Sequence, residues 1–193
     1  MAFDVLSPSE GNSARLHPVE PRYAPLFCFG LLTAACALAS FAFACATPFA
    51  SFAVIAAATL PLGPALLVAT AAWLVNQAIG FGALHYPIDV NTIVWGFVIG
   101  AAALIATVAA ASVLRLVQKT SAVIAFALAL VAAYAAYELA LFPATPFLGG
   151  EGAFTAAIVS RLGILNILWL IGLVAASEAA RLLNQYRRQQ TAS

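Results

Sequence analysis

From Ala24 through Ile88 the chain contains no Asp, Glu, Lys or Arg, and apolar residues fill it in long stretches. A backbone placed in hydrocarbon must satisfy its own polar groups, which leaves helices or closed barrels as the options. A crossing helix needs about 20 apolar residues, and the stretches here fit that length. Across all 193 residues 64% are hydrophobic and 8% are charged, against roughly 25% charged in soluble domains. A soluble globule is excluded, and the fold class is all-α: a polytopic membrane protein forming one compact bundle.

Proline, glycine and short polar turns divide the bundle. Spans are predicted over 24–44, 49–60, 65–84, 93–113, 122–142 and 162–183, six in all. The second is short and is ended by Pro61, Gly63 and Pro64; as a re-entrant segment it would leave five. Residues 1–23 read as a mobile cytoplasmic tail, 24–183 as the six-helix domain and 184–193 as a polar cytoplasmic tail. With six spans, Arg15, Arg22, Arg115, Lys119, Arg181, Arg187 and Arg188 fall on one side and only Arg161 on the other. That asymmetry follows the positive-inside rule and puts both termini in the cytoplasm. The net charge of +1 carries no basic block of the kind nucleic acid requires.

Polar groups inside such helices are costly, so their clustering marks a helix contact or a ligand site. The stretch Trp73–Trp95 holds most of them: Trp73, Asn76, Gln77, His85, Tyr86, Asp89, Asn91 and Trp95. Gly80 and Gly82 loosen its helix. Tyr134, Tyr137 and Glu138 fall within one turn of the fifth span, Asn166 lies on the sixth, and Arg161 enters the sixth where it can neutralise Glu138. In the six-span arrangement these residues gather toward the outer face and form a candidate substrate-binding site. Aromatic walls with few polar anchors suit a planar organic ligand, although Trp and Tyr near helix ends also serve as interfacial belts. Gly96 and Gly100, four apart on the fourth span, suit close contact with another helix, either within the chain or from a partner.

Other chemistry is thinly represented. Cys28, Cys36 and Cys45 lack CxxC spacing and read as small packing residues, with Cys45 nearest the outer edge. His85 and Asp89 make an incomplete metal shell. There is no HExxH, phosphate loop or plausibly spaced Ser-His-Asp set, so neither a cofactor nor an enzymatic activity is expected. Glu178 precedes Arg181 by three residues, which predicts an intrahelical pair. The segments Ala46-Thr47-Pro48-Phe49 and Ala144-Thr145-Pro146-Phe147 repeat one helix-ending device.

The chain size, the six spans with both ends inside, the alanine-rich first span and the polar aromatic outer loops together make the chain resemble the substrate-binding S component of energy-coupling factor (ECF) type vitamin transporters. That resemblance implies capture of a vitamin-like micronutrient at the outer face of a bacterial cytoplasmic membrane. Separate coupling and ATPase subunits would supply the energy. It also implies that alanines four apart on the first span, here Ala35 and Ala39, meet the coupling subunit. The metal-transporting members begin Met-His, whereas this chain begins Met1-Ala2-Phe3-Asp4, which points away from metal cargo. The alternatives are a non-catalytic membrane assembly or scaffold subunit, and a small secondary carrier or channel.

Overall fold

The computed structural model describes residues 15–43 and 46–191, with side chains throughout except at 151, 153 and 191. Cys45 lies outside the described residues. Helix α1 is Ala24–Phe43, α2 Phe49–Thr59, α3 Leu62–Ala78, α4 Val90–Leu116 and α5 Ala122–Leu141. After a 3-10 turn over Phe142–Ala144 come α6, Thr145–Leu148, a second 3-10 turn, Glu151–Phe154, and α7, Ala156–Thr191. Both repeats of the Ala-Thr-Pro-Phe segment open a helix, one of 11 residues and one of 4.

Among the described residues five helices are long and apolar enough to cross a membrane, α3 being counted together with the π-helical turn Ile79–Ala83 that continues it. The expectation of six full spans is corrected in one place. Helix α2 is about 16 Å long at 1.5 Å per residue, short of the roughly 30 Å hydrocarbon core. All ten residues from Phe49 to Ala58 are buried, and α2 packs against α1, α3, α4, α5 and α7. It is a central strut with no lipid-facing side.

Helix ends follow local chemistry. Asp89 caps α4 by accepting a hydrogen bond from Thr92 N at 2.8 Å. The π-helical turn contains Gly80 and Gly82, and the Tyr86 ring lies so close to Gly80 that an added Cβ would come within 2.7 Å of it. His85 then turns the chain with φ 54, the one positive φ outside glycine among the described residues.

Lipid tails are as apolar as leucine, so helices in a membrane associate through close van der Waals packing rather than by hiding oil from water. Side-chain size therefore sorts the faces. Helix α4 turns Gly96, Gly100, Ala103, Thr107, Ala110 and Leu114 inward, at steps of four and three. It leaves Phe97, Ile105, Val108 and Leu116 outside. Helix α5 buries Ala125, Ala129 and Ala133 and exposes Val131 and Leu139.

Helices α1 and α3 run parallel: Cys36 Sγ donates to the Ala72 carbonyl at 3.0 Å, and one turn on Asn76 Nδ2 donates to Ser40 Oγ at 2.9 Å. The first and last described segments meet at the opposite pole from the 84–89 turn. Leu16 N donates to the Ala58 carbonyl at 3.0 Å, and Leu16 and Pro18 are buried beneath α2. Glu20 pairs with Arg22 at 2.9 Å and also with Arg188. Leu16 and Pro18 thus fill space that a short α2 leaves open, and residues 1–14 of the expected tail lie outside the described residues. Residues 184–191 continue α7 as helix. Arg181 Nε meets Glu178 Oε2 at 2.7 Å on that helix.

Candidate functional site

A cavity of about 480 Å³ opens at the pole where α5 ends and α4 and α7 begin, within the size range of small-molecule pockets. Each long helix contributes one stripe at helical spacing. Thr92, Trp95 and Ile99 come from α4, Tyr134, Tyr137, Glu138 and Leu141 from α5, and Ile158, Leu162 and Asn166 from α7. Phe49 and Ala50 at the start of α2 form the inner wall, and Gly150 and Phe154 belong to the connection over 142–155. Asn166 is the eleventh residue of α7, so the floor lies about 15 Å below the helix start.

The floor is built by a cap supplied from another helix. The first N–H groups of a helix have no partner within it, and Pro48 before α2 provides no side-chain cap. Asn166 does so instead, its Oδ1 accepting from Ser51 N at 3.1 Å while Ser51 Oγ donates to the Asn166 carbonyl at 2.5 Å. Asn166 Nδ2 donates back to the Leu162 carbonyl at 3.0 Å. The residue is 6% exposed, and its polar atoms are committed to structure.

The connection over the mouth is held by one carbonyl. Leu148 O accepts from Asn91 Nδ2 at 3.0 Å and from Trp95 Nε1 at 3.3 Å. Gly149 and Gly150, with φ 76 and 94, then turn the chain back, and the Phe154 and Phe142 rings meet edge to face at 5.4 Å. Tyr134 crosses to α7, donating to the Val159 carbonyl at 2.6 Å with its ring against Gly163. Phe49 and Tyr137 lie 6.2 Å apart by ring centroid.

Among the described residues Glu138 is the one carboxylate that lines the cavity, and no Lys, Arg or His lines it. It is half-buried. The expected neutralisation by Arg161 does not occur: Arg161 is exposed, and the ion pairs Glu20–Arg22, Glu20–Arg188 and Glu178–Arg181 involve neither it nor Glu138.

Of the thirteen ligand positions read from the sequence, Trp95, Tyr134, Tyr137, Glu138 and Asn166 line this cavity. Asn91 acts one step back, through Leu148. Trp73, Asn76 and Gln77 instead build the α1–α3–α4 seam. Trp73 Nε1 donates to the Gly96 carbonyl at 2.8 Å, Asn76 Nδ2 reaches Ser40 and Thr47 at 2.9 Å each, and Gln77 Nε2 donates to Asn76 Oδ1 at 3.1 Å. His85, Tyr86 and Asp89 shape the turn before α4. Phe49, Ile99, Ile158, Leu162 and Phe154 were missed as lining residues; helical spacing from Trp95 and Asn166 points to the three on α4 and α7.

The small-residue positions are also accounted for. A Cβ on Gly96 would sit 2.5 Å from Gln77 Oε1 and one on Gly100 2.6 Å from the Trp73 ring. That notch is filled from within the chain, which leaves no room there for a partner helix. Ala39 is fully buried, and Ala35 borders a groove between α1 and α7. Compared with protein-family models, curated proteins and solved structures, the chain matches none.

Proposed function

We propose that this is a membrane substrate-binding subunit that captures a small organic, vitamin-like molecule in the Trp95–Glu138 cavity for uptake energised by partner subunits. The observation that carries the reading is the cavity's placement. It opens at one pole only, with aromatic walls and one carboxylate, while α2 and the packed Leu16–Pro18 segment fill the bundle below it. A free channel or carrier needs a polar path between the faces, and α2 puts Ala, Val, Ile and Phe in its way. On this reading the pole carrying Arg22, Arg115 and Arg188 faces the cytoplasm of a bacterium and the cavity faces outward.

The full chain purified in lipid nanodiscs is expected to retain a small molecule detectable by native mass spectrometry. Trp95→Ala and Tyr137→Ala should each reduce its occupancy about tenfold, as the loss of one aromatic contact implies. An empty, correctly folded protein from cells grown in rich medium would remove the proposal.

A second reading, a scaffold or assembly subunit, is favoured by the groove of about 680 Å³ between α1 and α7, bordered by Ala34, Ala35, Ala42 and Gly172. Small residues admit a partner helix closely. Stable co-purification of membrane partners with no retained ligand would select it.

A further inference from the structure

Building on the capture reading, we infer that the cavity selects a flat organic cation, one bearing an ammonium, amidinium or N-alkylated heteroaromatic nitrogen, with Glu138 as counter-ion and Trp95, Tyr137 and Phe49 as aromatic walls. The argument is a count of what the wall still offers a ligand. Trp95 Nε1 is spent on Leu148, the Tyr134 hydroxyl proton on Val159, and both ends of the Asn166 amide on Ser51 and Leu162. The hydroxyls of Thr47, Thr92 and Tyr137 also line the cavity, so a ligand meets neutral donors there but, among the described residues, no cationic one to recognise a carboxylate or phosphate.

The one charge the described wall carries is the Glu138 carboxylate, and beside it stand the faces of aromatic rings. A half-buried carboxylate without a cation is unfavourable in an apolar setting, and Arg161 does not relieve it. Ring faces carry negative quadrupole density and attract cations. An entering cation satisfies both features, whereas an anion is repelled by Glu138 and finds no cation in the described lining. A neutral ligand leaves the charge unmatched.

Three isosteric probes test this on the full chain in nanodiscs by saturation-transfer NMR: 1-methylnicotinamide as the cation, nicotinamide as the neutral form and nicotinate as the anion. The cation is expected to bind saturably, at least tenfold more tightly than nicotinamide, and nicotinate not at all. Glu138→Gln should weaken the cation at least tenfold and leave nicotinamide unchanged. The ranking on the unaltered chain needs no substitution, so a poorly folded variant does not blunt the test. Equal or tighter binding of nicotinamide or nicotinate overturns the cation assignment while leaving capture intact. If none of the three saturates, on a protein that native mass spectrometry finds empty, capture itself falls.

Discussion

Asn166 shows why a polar residue in an apolar helix need not touch a ligand. It lines the cavity, yet its amide is consumed in capping α2 and bonding its own helix. Removing it takes the side-chain cap from α2 and leaves the Ser51 N–H with the Pro48 carbonyl at 3.1 Å alone, a loss of about 0.5–1.5 kcal/mol per hydrogen bond. Asn166→Ala should therefore lower the thermal unfolding midpoint of the purified protein by several degrees. Adding Ser51→Ala should cost less than the two single changes summed, since the bond from Ser51 Oγ to Asn166 Oδ1 at 3.1 Å is lost in either variant. An unchanged midpoint for Asn166→Ala would mean that α2 needs no cap from α7. Glu138 is the contrast: it has no cation beside it and no structural bond comparable to those of Asn166.

At the scale of the element, size decides where hydropathy is silent. Gly96 and Gly100 make α4 concave where Gln77 and Trp73 enter. Gly100→Ala would bring a methyl within 2.6 Å of the indole, and overpacking of that kind costs about 1–3 kcal/mol. The variant should unfold earlier in a thermal melt, and Trp73→Leu placed beside it should recover part of the loss. A stable single variant with unchanged tryptophan emission would contradict the seam. The boundaries of these elements were legible because proline, glycine and polar turns interrupt apolar runs: 24–44 was expected and Ala24–Phe43 found, 122–142 was expected and Ala122–Leu141 found. Helix α7 was read short at both ends, 162–183 against Ala156–Thr191, because hydropathy stops at the membrane edge and a helix does not. Inward faces were hidden for a related reason. When both sides of a helix are apolar no polar stripe remains to read, and only the recurrence of Gly and Ala at steps of three and four marks the interior.

At the scale of the whole molecule, the same ambiguity divided the candidate site. Tyr134, Tyr137, Glu138, Trp95 and Asn166 were readable because stripes on different helices converged near one pole. Trp73, Asn76 and Gln77 find their partners within the α1–α3–α4 seam and beside it, an outcome that a sequence without helix order does not separate from ligand binding. What the bundle as a whole specifies is polarity: the first and last described segments meet through Glu20 and Arg188 at one pole, and the cavity opens at the other. Helix α4 alone separates His85 from Gln118, and α5 separates Gln118 from Gly152, all three exposed. In a chain whose three cysteines are replaced by alanine, His85→Cys, Gln118→Cys and Gly152→Cys can be offered a membrane-impermeant maleimide in sealed vesicles of known orientation. His85→Cys and Gly152→Cys should react from the outside, and Gln118→Cys only after the vesicles are opened. Charged residues are strongly disfavoured at the bilayer centre, so Arg115 and Lys119 anchor the Gln118 turn against slipping across. Reaction of all three from one side would mean that α4 and α5 do not cross, and a cavity between them could not face a compartment different from the one the first and last described segments occupy.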